Sequence, residues 1–153
     1  MRYELRLCGD GDRDWAYTLK SEAYRDVVER QFGPWNEQFQ RELFATRWNP
    51  KISRIIVVGG APAGLLALEE RSDGLWLDEI QLIKAWRGMG LGSLIIRDLI
   101  RRSPLRLQVL KENLRALQLY RRLEFKIEGE TKTHHLMHHP GAANAEEGNR
   151  TGR

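Results

Sequence analysis

Apolar and charged residues alternate from Tyr3 to Leu7, with Glu4 and Arg6 separating Tyr3, Leu5 and Leu7. A period of two puts every second side chain on one face, so this segment is predicted to be a strand with one face on the core. The period then lengthens. Trp15, Leu19, Ala23 and Val27 recur every four residues, with Asp12 or Asp14 available to cap the start and Phe32-Gly33-Pro34 to stop the run. That spacing predicts a helix, and Tyr17 and Tyr24 fall on a neighbouring face of it. A second helix is predicted from Asn36 to about Arg47, with Phe39, Leu43 and Phe44 as its apolar face and Asn49-Pro50 as its stop.

Beyond residue 51 short apolar runs are punctuated by glycine. Ile52 to Val58, Gly59-Gly60 and Ala61 to Glu70 predict a hairpin, because a Gly-Gly pair tolerates the positive φ of tight hairpin turns. A turn at Ser72-Asp73-Gly74 leads into a strand from Leu75 to about Ile83, and a glycine-rich loop from Arg87 to Gly92 opens a helix ended by Pro104. A strand follows over Leu105 to Leu110, then a helix from Asn113 to about Arg122. Phe125 to Glu130 and Thr133 to His138 complete the pattern as an antiparallel pair. The predicted order is β-α-α-β-β-β-α-β-α-β-β, an α/β domain over residues 1–139. Residues 140–153 contain no aromatic or large apolar residue and are predicted to be a disordered tail.

Composition narrows the class. The chain has 153 residues, 41% hydrophobic and 30% charged, which suits one globular domain with a buried core. Its apolar runs fall far short of the roughly 18 to 20 residues of a membrane span, and the N-terminus lacks the apolar stretch of a signal peptide. A cytoplasmic protein without a membrane partner is expected. The lone cysteine, Cys8, agrees with a reducing compartment and is read as a small core residue. A net charge of +4, spread over scattered arginines, suits an anionic ligand, and no basic stripe or recognition motif points to nucleic acid.

The candidate chemistry centres on Arg87-Gly88-Met89-Gly90-Leu91-Gly92-Ser93. Glycines between a strand and a helix let the backbone approach a phosphate, and the free N–H groups and dipole of the helix start favour an anion. The Walker string is absent, and the Rossmann spacing fails because its third glycine would fall at Ser93. The spacing Arg87-x-x-Gly90-x-Gly92 resembles the acetyl-CoA loop of the GCN5-related N-acetyltransferase (GNAT) family. Leu107-Gln108-Val109, Asn113, Ala116, Leu119-Tyr120 and Phe125 resemble that family's second motif, and the element order is similar to the family's. The resemblance covers roughly residues 3 to 138. It implies a mixed, mostly antiparallel central sheet flanked by helices. It also implies backbone contacts from Ile80, Gln81 and Leu82 to the pantetheine arm, and acetyl-CoA as cosubstrate. Two departures stand out. Glu124 replaces the glycine of the family's Gly-Phe, and Trp86 and Met89 replace the usual tyrosine and lysine, leaving one loop-borne cation fewer.

Acetyl transfer to an amine needs a held thioester, a neutral amine and a proton for the departing thiolate. Tyr120 is the expected proton donor. Asn113 lies seven residues earlier, about two helical turns, so it shares a face with Tyr120 and is expected to bond the pantetheine. Asp78 and Glu79, adjacent on a strand, point to opposite faces. Asp78, on the face of Trp76, Ile80 and Leu82, is the first choice of base by the family's parity, and Glu79 the second, acting through a water. The resemblance gives the Ile80 N–H the thioester carbonyl. It also makes the first two helices and the loop between them the acceptor wall; of the aromatics there, Trp15, Tyr17, Tyr24, Phe32, Trp35, Phe39 and Trp48, most are expected in the core and two or three in the pocket lining. The expected partner is a small-molecule or peptide amine, with a homodimer expected through the closing strands. His134, His135, His138 and His139 read as an edge-strand cluster, and no metal is expected. The competing reading is a non-catalytic acyl-CoA-binding module.

Overall fold

The computed structural model describes residues 1–142. Its strands are β1 (Glu4–Leu7), β2 (Ser53–Val58), β3 (Ala61–Arg71), β4 (Gly74–Leu82), β5 (Leu105–Leu110), β6 (Lys126–Glu130) and β7 (His134–His139), and its helices α1 (Arg13–Phe32), α2 (Glu37–Arg47), α3 (Leu91–Arg102) and α4 (Leu114–Arg122). The strands form one seven-stranded sheet in the order β1-β2-β3-β4-β5-β7-β6. Its pairings are antiparallel at β1-β2, β2-β3, β5-β7 and β6-β7 and parallel at β4-β5. This is the mixed, mostly antiparallel sheet with flanking helices that the sequence implied. The chain divides into two compact units, one of residues 1–67 and 79–89, the other beginning with 68–78 and resuming at 90.

In the first unit Gly59 and Gly60, at φ 60° and 80°, make the hairpin turn between β2 and β3. As β2 advances from Ile56 to Val57 its partner steps from Gly64 to Pro62, which leaves Ala63 as an extra residue. This is a bulge, and the Ala63 carbonyl accepts the Ile83 N–H at 2.9 Å. Ala16, Leu19 and Leu65 form a buried cluster, against which Cys8, Trp15, Phe44, Trp48 and Ile83 pack. Tyr17 meets Phe44 edge-on, with centroids 5.4 Å apart, and Phe44 stacks on Trp48. The helical stripe thus finds its core, as does Phe44 of α2, but Phe39 and the expected inner face of β1 do not. Leu5 and Leu7 are 44% and 69% exposed and Phe39 is 57% exposed. Alternation assigns residues to a common face but does not supply a cover for it, and β1 is an edge strand paired only with β2. The Asp12 carboxylate makes no cap bond to α1. It accepts the Gly9 N–H at 2.9 Å and faces Arg6 at 3.6 Å.

In the second unit Leu91, Ile95, Ile96, Leu105, Leu107 and Met137 are fully buried. The closing strands pair antiparallel as expected, but the histidine strand is not at the edge. β7 lies between β5 and β6, so the histidines belong to an interior strand and β6 takes the edge. A pair placed edgewise by sequence order gives way here to an inserted strand hydrogen-bonded on both sides. Along β6 the register steps from Ile127↔Met137 to Gly129↔Leu136, leaving Glu128 extra, and its carboxylate accepts from Arg106 Nε at 3.0 Å. Past β7 the chain stays attached for a few residues. Gly141 is buried and its N–H donates to His139 Nδ1 at 3.0 Å. The rest of the expected tail, 143–153, lies outside the described residues.

Candidate active site

Glu79, Ile80, Gln81, Leu82, Arg87, Gly88 and Met89 belong to the first unit, and Asp78, Gly90, Leu91, Gly92, Ser93, Asn113 and Tyr120 to the second. In the first, the end of β4 presents alternate residues to alternate faces. Glu79 and Gln81 share a side, and there the Gln81 amide nitrogen donates to Glu79 Oε2. Lys20 Nζ, from α1, reaches Glu79 Oε1 at 2.6 Å, with both side chains 26% exposed. Glu79 is therefore held at both oxygens. Lys20 was not legible in the sequence, being 59 positions away with no local pattern to join the two. Arg87 Nε donates to the Leu82 carbonyl at 2.9 Å, so this guanidinium braces the loop against the end of β4 as well as bringing charge to it.

A second cluster forms around Glu37 at the start of α2. Its carboxylate accepts from the Tyr17 hydroxyl at 2.8 Å, from Trp35 Nε1 at 2.7 Å and from Arg41 at 2.8 Å. The Trp35 bond first, then that of Tyr17, holds the Glu37 carboxyl below its ordinary value. Arg41 lies over the Tyr17 ring at 4.5 Å and Arg25 over Trp35 at 5.8 Å. The predicted aromatic wall is therefore laced with guanidinium groups. Burial, followed by the Asp12 charge, pushes the Cys8 thiol up, which fits an inert core cysteine.

Gly88 and Gly90 adopt left-handed backbone, φ 72° and 86°, and both are exposed together with Met89. An added Cβ at Gly90 would meet open space, so conformation rather than crowding calls for glycine there. In the second unit Leu91, fully buried, anchors the start of α3. Gly90 is the N-cap of α3 and has no side chain to cap with, whereas asparagines cap α2 and α4. An open glycine loop leading to helix amides without a side-chain cap fits a pyrophosphate.

Asn113 caps α4, its Oδ1 accepting the Ala116 N–H at 3.3 Å, which leaves its NH2 as the donor for a ligand. Tyr120 is 7% exposed and lies against Phe125, with centroids 5.5 Å apart. The turn that follows keeps the geometry a glycine would give. Glu124 is left-handed at φ 69°, its N–H donates to Arg121, and the Phe125 N–H donates to the Tyr120 carbonyl, each at 3.0 Å. These two bonds and the ring contact make a Schellman end that fixes Tyr120. Asp78 is exposed; the Glu69 hydrogen bond first, then the Glu69 charge and after it that of Asp78, raise the Arg71 pKa. Among the described residues no group of three or more His, Cys, Asp or Glu side chains forms a metal site. Among the described residues no helix is long and apolar enough to cross a membrane.

A model of the acetyltransferase (GNAT) family matches residues 20–125. No curated protein matches the chain. Among solved structures, PaiA N-acetyltransferase from Thermoplasma acidophilum in complex with coenzyme A superposes with a TM-score of 0.73 at 13% identity, covering 92% of this chain and 99% of that one. The apo form of YjaB from Escherichia coli gives 0.70 at 16% identity, over 93% and 99%. The ribosomal-protein-S18-alanine N-acetyltransferase from Escherichia coli gives 0.63 at 20% identity, over 91% and 94%. At these identities the likeness is one of fold.

Proposed function

The chain belongs to the acetyltransferase (GNAT) family, whose members are acyl-CoA-dependent acyltransferases, and from that premise we propose that it moves an acetyl group from acetyl-CoA directly to a primary amine in a ternary complex. The observation that carries this reading is the open Arg87–Gly92 loop, with its left-handed glycines at the uncapped start of α3. Backbone N–H groups from Gly88 to Ser93 hold the pyrophosphate. Ile80, Gln81 and Leu82 offer backbone groups to the pantetheine, and the Asn113 amide adds a donor. The Ile80 N–H stabilises the charge that grows on the thioester oxygen. Tyr120 gives its proton to the departing sulfur. The proton lost by the amine goes to a carboxylate, Asp78 directly or Glu79 through a water.

The acceptor is a small-molecule or peptide amine and the setting cytoplasmic, with no metal required. A homodimer is proposed with it. Of the closing strands β6 stands at the edge, and its Ile127 is 42% exposed, so sedimentation of wild type against Ile127→Lys tests that contact. The function itself is tested by thiol release from acetyl-CoA with polyamines, amino acids, aminoglycosides and peptides as acceptors, beside a CoA-binding titration. Amine-dependent release is expected, and Tyr120→Phe lowers kcat about 100-fold or more while CoA still binds. CoA binding without release for any amine would favour the non-catalytic module.

A further inference from the structure

We propose that Gln81, oriented by the Lys20–Glu79 pair, receives an N–H of the acceptor amine, so that these three side chains form the seat of the attacking nitrogen. The inference rests on the acetyl-transfer reading and deepens it. Gln81 is 3% exposed, and its Oε1 is buried without a hydrogen-bond partner among the described residues.

The orientation of the amide is enforced. An ionised carboxylate only accepts, so Gln81 must turn its NH2 toward Glu79 and its carbonyl away. Lys20 grips the other Glu79 oxygen at 2.6 Å. Rotating the amide to relieve Oε1 would set two oxygens against each other and forfeit the bond to Glu79. A buried carbonyl left in this state is destabilising and calls for a donor from outside the chain.

A neutral primary amine supplies that donor and keeps its lone pair for attack. Glu79 and Gln81 flank Ile80 on β4, and Ile80 is the residue whose N–H is assigned to the thioester carbonyl. An N–H held at Gln81 Oε1 seats the nitrogen beside that carbonyl on the Glu79 face of β4, which makes Glu79 rather than Asp78 the group that takes its proton. Lys20 and Glu79 cancel in charge, so the seat selects by hydrogen bond and not as a bare anion would. A polar group that stays unpaired until its substrate arrives is also a means of discrimination.

The test compares wild type with Gln81→Met, Lys20→Met and Lys20→Arg, measuring KM separately for acetyl-CoA and for spermidine, an aminoglycoside, an alanine-terminated peptide and a lysine peptide. Gln81→Met is expected to raise the amine KM about tenfold and leave that of acetyl-CoA unchanged. An unchanged amine KM in an active, folded Gln81→Met means that Oε1 holds only a water, and overturns the proposal. Should Gln81→Met not fold, the Lys20 pair decides. A raised amine KM in Lys20→Met that Lys20→Arg restores supports the seat, and wild-type values in both overturn it. A wild-type protein that releases no thiol with any amine overturns the acetyl-transfer reading as well, which separates the two failures.

Discussion

Glu124 sits at φ 69°, a region that costs a side chain with a Cβ roughly 1–2 kcal/mol. The cost is met because the position closes α4: two backbone bonds and the Tyr120–Phe125 ring contact depend on it. Glycine would adopt the same backbone without the steric penalty. Glu124→Gly is therefore expected to raise stability by about 1 kcal/mol, seen as a higher thermal midpoint, with Tyr120 undisturbed and CoA binding unchanged. At this scale the sequence was partly legible. Its loop glycines, Asn113 and Tyr120 lie in local motifs whose spacing names them, and the substitution at 124 was visible as a departure. Lys20 was invisible, because its partnership with Glu79 exists only once α1 is laid beside β4.

Among elements, the bulge of β3 shapes the end of β4. Ala63 hands its carbonyl to Ile83, and Gly64 next to it brings β3 close to β4. A Cβ at Gly64 would press on the Gln81 carbonyl and stand 2.9 Å from Leu82 Cδ2. The first obstacle is backbone and cannot rotate away. Gly64→Ala is expected to destabilise by about 1–3 kcal/mol, read from denaturant unfolding, and to weaken CoA binding because β4 must shift. The order and approximate bounds of all the elements were legible, since periodicity is a local property. Burial was not. Leu5, Leu7 and Phe39 alternate or recur as core residues do, yet lie exposed because what covers a face is decided by elements far away in sequence. The insertion of β7 between β5 and β6 was hidden for the same reason: strand order in a sheet is not sequence order.

For the molecule as a whole, the titrating groups predict how it meets acid. His139 is buried, and burial pushes its imidazole below the ordinary 6.5, with Glu124 acting in the opposite direction. Its Nδ1 accepts the Gly141 N–H, a bond open only to the neutral ring. Between the depressed folded value and 6.5 the unfolded chain binds the extra proton, so stability is full above about pH 6.5 and is lost as pH falls through that window. Glu37, held below 4.5 by Trp35 and Tyr17, adds a second loss that begins lower, below about pH 4.5. Thermal midpoints measured from pH 8 to about pH 2 should therefore decline in two stages, and His139→Gln, which retains an acceptor but does not titrate, should flatten the first and spare the second. A single decline confined to below pH 5 in wild type would show that His139 does not couple to folding. The two scales meet at Glu124. Its charge supports the His139 imidazolium, so Glu124→Gly should gain stability at pH 8 and lose more than wild type on acidification, the two curves converging as the histidine titrates.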